Sequence, residues 1–312
     1  MLVDFWKPTT SLETLQSRAA MLRQIRSFFD QRNVLEVETP ALSSAAISDP
    51  AIQSIAAGNR YLHTSPELAM KRLLAAGSGD IYQICKVFRE GESGRNHNLE
   101  FTLLEWYRLD WNTDQLQTEV VTLIESLTKT ALAVTHLSYS ECFEDLLRVN
   151  PLNTSGEELR TVARSHNLDL ESELSEDGWL DLLFSLVVVP TFPEDRLTII
   201  TDYPASQAAL ARLNPDGETA ARFEVFWGQT ELANGYHELL DPKEQLQRFE
   251  QDQTTRAASG LPVMPLDEHF LAALKAGLPD CAGVALGLDR LLMKITTLNH
   301  IDKVISFPVS RA

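Results

Sequence analysis

Cysteine is scarce in this sequence, with Cys85, Cys142 and Cys281 far apart among 312 residues. An odd, scattered set excludes a disulfide framework and gives no spacing for a metal knuckle, which suits a reducing cytoplasm. Long apolar runs are missing as well. Nothing approaches the roughly 18 uninterrupted apolar residues of a membrane span, and MLVDFWKPTT has no charged segment leading into an apolar one. A soluble chain that is neither exported nor membrane-bound is therefore expected. Basic charge is also short: 27 Lys and Arg against 44 Asp and Glu give a net charge of −17. That excludes a general nucleic-acid surface and leaves room only for a local basic site. There is no internal repeat and no low-complexity tract. What is present, 44% hydrophobic residues, can build one large core or two modest ones.

The most informative stretch is IYQICKVFREGESGRNHNLEFTLLEWY, residues 81 to 107. Its two ends alternate as strands and its centre, Arg89 to Asn98, is loop chemistry, so the stretch predicts an antiparallel hairpin with a charged, mobile tip. Arg89 stands at the base of the loop, and Glu105 shares a strand face with Phe101 and Tyr107. An aromatic, a carboxylate and a phenol on one face describe either a wet cleft or a solvent-facing sheet edge.

Around the hairpin, Thr10 and Glu13 suggest a capping box for a helix over residues 11 to 32, which leads into VLEVETPAL as a strand ended by Pro40. Residues 43 to 60 are small and polar and predict a flexible loop. SPELAMKRLLAAG follows as a helix entered at Pro66 and left at Gly77. Glu67 fits its first turn by charge alone, with a ligand role as the alternative. Asp114 with Gln117 suggests the cap of the next helix. Residues 140 to 196 predict a helical insertion carrying a stripe of Trp179, Leu182, Leu183 and Leu186. ARFEVFWGQTELANGYHELLDP then predicts two strands about Gly228, with Glu224, Glu231 and Glu238 recurring every seven residues beside Asn234. If Glu224 and Glu231 face each other across the turn they can hold Mg²⁺; a solvated hairpin face explains them equally. Near the end, residues 282 to 286 predict a strand and GLDRLLMKI a helix. There Arg290 pairs either with a ligand phosphate or base, or with Asp289 or a nearby Glu.

Four stretches in order resemble one family, the lysine branch of the class II aminoacyl-tRNA synthetases. VLEVETPAL resembles its first motif, KVFREGESGRNHNLEF its second and GVALGLDRLLM its third, while SPEL and ELANGYHEL resemble the lysyl pocket. The resemblance runs through nearly the whole chain and implies an α+β fold, an antiparallel sheet of six strands flanked by helices, in a single catalytic domain over residues 1 to 312. The first motif begins about 34 residues in, so no anticodon-binding OB-fold is expected. In this, and in FWKPTT, LLEWYRLDW and ITDYPASQAALA, the chain is similar to free-standing members of the branch that join (R)-β-lysine to a lysine of elongation factor P. The resemblance then implies ATP and Mg²⁺ as cofactors, elongation factor P as protein substrate, a homodimer, and no stable binding of tRNA. A truncated synthetase activating α-lysine and a non-catalytic regulator are the alternatives. Arg95 and the pair Lys71 and Arg72 are candidate cations for docking the protein substrate.

Carried over by position, the resemblance gives Arg89 and Arg290 catalytic roles. Arg89 would grip the substrate carboxylate and α-phosphate; Phe101 and Arg290 would sandwich adenine, and His97 would approach the terminal phosphates. Glu90, Gly91, Asn98, Leu232 and Gly287 would complete the ATP site, and Glu224 and Glu231 would coordinate the metal. Ser65, Pro66, Glu67, Glu105, Tyr107, Asn234, Glu238 and Ala285 would bind the amino acid. Three positions depart from the pattern. Gly91 stands where an acidic residue is usual, so the adenine contact falls to Glu90, Gly91 or Glu92, and Leu99 replaces a proline. Ala285 replaces a glycine, and its methyl group should narrow the pocket against α-lysine. Ala285→Gly is therefore expected to shift adenylate formation toward α-lysine, measured as pyrophosphate exchange with each isomer; an unchanged preference rejects the idea.

Overall fold

A computed structural model describes residues 6–168, 170 and 174–312; Phe5 of the FWKPTT segment and residues 169 and 171–173 of the expected insertion lie outside that range. In chain order the helices are α1 (Leu12–Asp30), α2 (Glu67–Ala75), α3 (Thr113–Thr128), α4 (Tyr139–Leu147), α5 (Gly156–Ser165), α6 (Glu176–Leu183), α7 (Pro242–Ala258), α8 (Glu268–Gly277) and α9 (Leu288–Thr296). The strands are β1 (Leu35–Glu36), β2 (Leu42–Ser43), β3 (Ala56–Ala57), β4 (Arg60–Leu62), β5 (Ile81–Phe88), β6 (Glu100–Leu109), β7 (Ala133–Ser138), β8 (Arg196–Pro204), β9 (Thr219–Trp227), β10 (Thr230–His237) and β11 (Cys281–Gly287). The chain divides into two compact units, one reaching Lys129 and resuming at Leu240, the other Thr130–Leu239.

The first unit is built on β5 and β6, the hairpin expected from alternation. Their register pairs Ile81 with Tyr107, Gln83 with Glu105 and Val87 with Phe101. β11 adds antiparallel to β6, and β1 adds parallel to β5, so the sheet is mixed rather than wholly antiparallel. VLEVETPAL thus contributes only the two-residue β1 to this sheet and, at its end, Leu42, the first residue of β2, to a small sheet of order β2, β4, β3. α1 lays Phe29 on the sheet, stacked on Tyr82 at 4.4 Å and edge-on to Trp106 at 5.4 Å. The starts of α1 and α3 fall near their expected places with different caps. Ser11, not Thr10, accepts the Thr14 amide for α1, and Asn112 with Gln115 forms the capping box of α3. Asp241 caps α7, where Pro242 occupies the first turn.

Two segments expected to be mobile are fastened. In the hairpin tip the Gly94 amide reaches the His97 carbonyl, and the Arg95 side chain and carbonyl bind the backbone at Asn299 and Ile301. The loop after β2 is held by Arg256 of α7, whose guanidinium donates to the carbonyls of Asp49 and Ile52 and to the Gln53 side chain.

The second unit orders its strands β10, β9, β8, β7, antiparallel except for the parallel pair β7 and β8. Helices α4 to α6 cover it with an aromatic core in which Tyr139 stacks on Phe143 at 4.8 Å and on Phe184 at 5.0 Å. The expected stripe fails after Leu183, because α6 continues as a π-helical turn over Phe184–Val188 and a 3₁₀ turn over Val189–Thr191. The wider turn rotates Leu186 outward, leaving it 54% exposed while Trp179 and Leu183 stay buried.

One buried carboxylate fixes the start of α9. Asp289 accepts from Arg18 of α1 and, at 2.6 Å, from the Thr102 amide of β6. Asp289→Ala would leave the largely buried Arg18 without that carboxylate and the Thr102 amide without an acceptor. The expected cost is about 3 kcal/mol of unfolding free energy, read as a lower denaturant midpoint at unchanged slope.

Candidate active site

In the first unit, Arg89 follows directly on β5, and its amide donates to the Leu99 carbonyl, which closes the base of the loop. Its guanidinium carbon lies 5.2 Å from the Phe101 ring centroid, while Nη1 is 3.4 Å from Glu92 Oε1 and Nε donates to the Thr64 carbonyl. The half-buried fork is thus oriented by neighbours with donors to spare for an anion. The Glu90 amide donates to the Gln53 carbonyl at 2.9 Å, while its side chain is exposed. Gly91 has φ of +81°, a left-handed conformation that favours glycine and disfavours the acidic residue usual there. Glu92 faces Arg89, leaving Glu90 as the exposed carboxylate of the three.

Arg290, one turn into α9, does not pair with Asp289, which is engaged elsewhere. Its Nη2 lies 2.6 Å from His97 Nε2 and its Nε donates to the Asn96 carbonyl, so both expected phosphate and base ligands come together. The Asn98 side chain ties the loop to its surroundings, donating to the Glu100 carbonyl at the start of β6 and accepting from the Val309 amide of the C-terminal segment. Gly287 is the N-cap residue of α9.

On the neighbouring strands, Glu105 and Tyr107 are buried, and the Tyr107 hydroxyl donates to Glu105 Oε1 at 2.7 Å. Their burial excludes the solvent-facing sheet edge. Ala285 stands directly opposite Glu105 and Gly283 opposite Tyr107, so these side-chain positions share a sheet face. Ser65 and Pro66 lead into α2, where Glu67 accepts from Lys71 Nζ at 2.6 Å. Lys71 is 1% exposed, which removes it as a docking cation; Arg72 and Arg95 remain exposed. The amphipathic period of α2 carries the signal, since positions 67 and 71 lie one turn apart.

In the second unit, a register shift between Glu231 and Ala233 sets Asn234 opposite Glu224 and Glu231 opposite Phe226. The two glutamates are diagonal neighbours on one face rather than directly opposed. Glu224 accepts from Arg222 Nη2 at 2.6 Å and from Asn234 Nδ2 at 3.4 Å. Burial pushes the Glu224 carboxyl above the usual carboxylate range and Glu231 adds to this, while Arg222 opposes it. Arg222 also lies over the Tyr203 ring at 4.4 Å. The sequence reading missed Arg222, although its i, i+2 spacing from Glu224 on a strand placed both on one face. Leu232 and Glu238 are buried, and the Glu238 carbonyl accepts from Arg212 Nε.

A divalent cation fits Glu224 and Glu231 by their mutual repulsion on a shared face. Among the described residues no group of three or more His, Cys, Asp or Glu is arranged to hold a metal. Two carboxylates suit Mg²⁺ completed by phosphate oxygens better than a protein-only cage.

An amino acid-activating enzyme is what these motifs and this α+β architecture define, and the family comparison agrees. The chain belongs to the class II tRNA synthetases of the D, K and N group, whose family model matches residues 2–311. Among individual proteins it is similar to several named "Elongation factor P--(R)-beta-lysine ligase". That of Vibrio cholerae is 48% identical over 98% of this chain and 98% of its own length. That of Vibrio atlanticus is 47% identical over 98% and 99%, and that of Haemophilus ducreyi 44% over 98% and 97%. Among the described residues no helix is long and apolar enough to cross a membrane.

The geometry also makes a statement about Cys85, which lies opposite Leu103 on the hairpin. Burial, with the Glu105 charge adding to it, pushes its thiol up to about 12. The reactive thiolate is then rare at neutral pH. Alkylation of Cys85 by iodoacetamide at pH 8 should run about a thousandfold slower than for an ordinary thiol and accelerate steadily to pH 11, followed by peptide mass spectrometry.

Proposed function

We propose that this protein activates (R)-β-lysine with ATP and transfers it to the ε-amine of a lysine of elongation factor P. Full-length similarity to relatives named for that activity carries the reading. The retention of Arg89, His97, Phe101, Glu224, Glu231 and Arg290 speaks against a non-catalytic regulator. The net charge of −17 disfavours a tRNA-charging enzyme.

In the first step a carboxylate oxygen of the amino acid attacks the α-phosphorus, the bond to the β-phosphate breaks, and pyrophosphate leaves. Arg89 aligns carboxylate and phosphate through its fork of donors, and Phe101 offers its face to adenine. Arg290 covers the other face of adenine, and His97, already in contact with it, places a hydrogen-bonding group for the terminal phosphates. Glu90 takes the adenine contact, with Gly91 shaping the turn, Leu232 and Gly287 lining the ATP site and Asn98 holding the loop. Mg²⁺ on Glu224 and Glu231 would neutralise charge on the departing phosphates.

The amino acid carries two ammonium groups, and its binding residues are rich in carboxylate. Glu238 and Tyr107 take the distal amine, Glu105 and Glu67 serve the other, and Asn234 serves the carboxylate. Ser65 and Pro66 set the entry to α2, and Ala285 limits the space beside Glu105. In the second step the acceptor nitrogen attacks the acyl carbon, AMP leaves with the bonding pair, and the nitrogen sheds a proton to give the amide. A cytoplasmic homodimer without stable tRNA binding belongs to the same proposal.

Incubation of purified elongation factor P with the enzyme, ATP and (R)-β-lysine is expected to add one β-lysyl residue to a single lysine, seen by mass spectrometry. Arg89→Ala should lower adenylate formation about 100-fold, and Phe101→Ala should raise the KM for ATP about tenfold. Charging of tRNA without modification of the factor would overturn the reading.

A further inference from the structure

Arg256 has no role in the chemistry above, yet its side chain is wholly buried near the end of α7. Its guanidinium donates from Nε to the Pro262 carbonyl at 2.7 Å. Nη1 reaches the carbonyls of Asp49 at 2.8 Å and Ile52 at 3.2 Å, and Nη2 reaches Gln53 Oε1 at 2.7 Å. All four acceptors are neutral, so the cation is stabilised by charge-assisted hydrogen bonds rather than by a direct carboxylate partner. One turn back on the same helix, Asp252 accepts from Ser48, so two adjacent turns of α7 grip the loop after β2.

That loop matters because of where it leads. Gln53, held at its side-chain oxygen by Arg256, donates its amide nitrogen to the Pro50 carbonyl and offers its own carbonyl to the Glu90 amide at 2.9 Å. Glu90 directly follows Arg89. A continuous set of hydrogen bonds therefore runs from the interior of α7 to the backbone of the loop that carries Arg89. Lysine cannot replace the guanidinium, since one ammonium cannot meet acceptors on both Pro262 and the 49–53 segment.

We infer that Arg256 is a positioning residue for nucleotide binding: through Gln53 it fixes the backbone at Glu90 and thereby the placement of Arg89. The inference rests on the assignment of Arg89 and Glu90 to ATP. It separates this arginine from residues that touch substrate, and it gives the 43–60 segment a function that its composition hides.

Two measurements on Arg256→Lys and on Gln53→Met, which leaves α7 intact, test it. Hydrogen exchange of the ligand-free protein should show peptides covering 49–53 and 88–92 losing about tenfold protection while β6 keeps its own. In pyrophosphate exchange the KM for ATP should rise about tenfold with kcat within about twofold, Arg256→Lys exceeding Gln53→Met. Unchanged exchange at 88–92 in both variants overturns the inference whatever the ligand is. Protection lost equally across β5, β6 and β11 also overturns it, by making Arg256 a general support. If instead exchange changes as expected but Arg89→Ala leaves the KM for ATP and the rate unaltered, the nucleotide assignment is what fails.

Discussion

The first unit depends on a buried negative charge at the start of α9. Asp289 receives the Arg18 side chain and the Thr102 amide together, tying α1, β6 and α9 at a single point. A carboxylate taken out of water survives only with such donors, so the sequence around it has little freedom. Two consequences reach the candidate site. Residue 290 is held with its guanidinium toward Asn96 and His97, and the amide fixed by Asp289 belongs to the residue after Phe101. Both groups assigned to adenine are thereby set by one ion that touches no ligand.

A second theme is how an acidic chain manages carboxylates that it buries on purpose. Glu67 is matched by Lys71 and Glu224 by Arg222, each with a donor at 2.6 Å. These internal cations keep the acids folded and oriented without substrate. Glu224 shows the balance: burial pushes its proton affinity up, Arg222 pulls it down, and Glu231 pushes it up again. A bound cation would tip that balance toward the charged form, which is what a metal ligand needs.

Much of this was legible in the sequence because alternation and motif spacing are strong signals. The hairpin, the β9 and β10 pair, and the strand leading into Arg290 were read with ends off by one or two residues. Caps were misassigned because Thr10 and Ser11, or Asn112 and Asp114, offer nearly equivalent side-chain acceptors, and only backbone angles decide between them. The π-turn after Leu183 has no apolar signature of its own, since it shifts the phase of a pattern without altering its composition. Lys71 and Arg256 differ in this respect. Lys71 pairs with Glu67 one turn away, so the period of α2 already carried its signal, whereas Arg256 finds its loop partners about two hundred residues away in a segment that reads as a plain polar loop.

The register of the sheet gives the departure at Ala285 its physical meaning. In an antiparallel pair, residues directly opposite carry their Cβ atoms about 5 Å apart on the same face. Ala285 and Glu105 are such a pair, with Gly283 opposite Tyr107 beside them. A methyl group at 285 therefore stands next to the carboxylate that the Tyr107 hydroxyl orients, while the position opposite Tyr107 stays open. Added bulk at that point acts on one side of Glu105 only. It changes where an ammonium can approach the carboxylate and leaves the tyrosine side untouched. Moving an amine by one carbon along a substrate is a displacement of about that size, so a single methyl on a fixed strand can discriminate between isomers that carry the same charges.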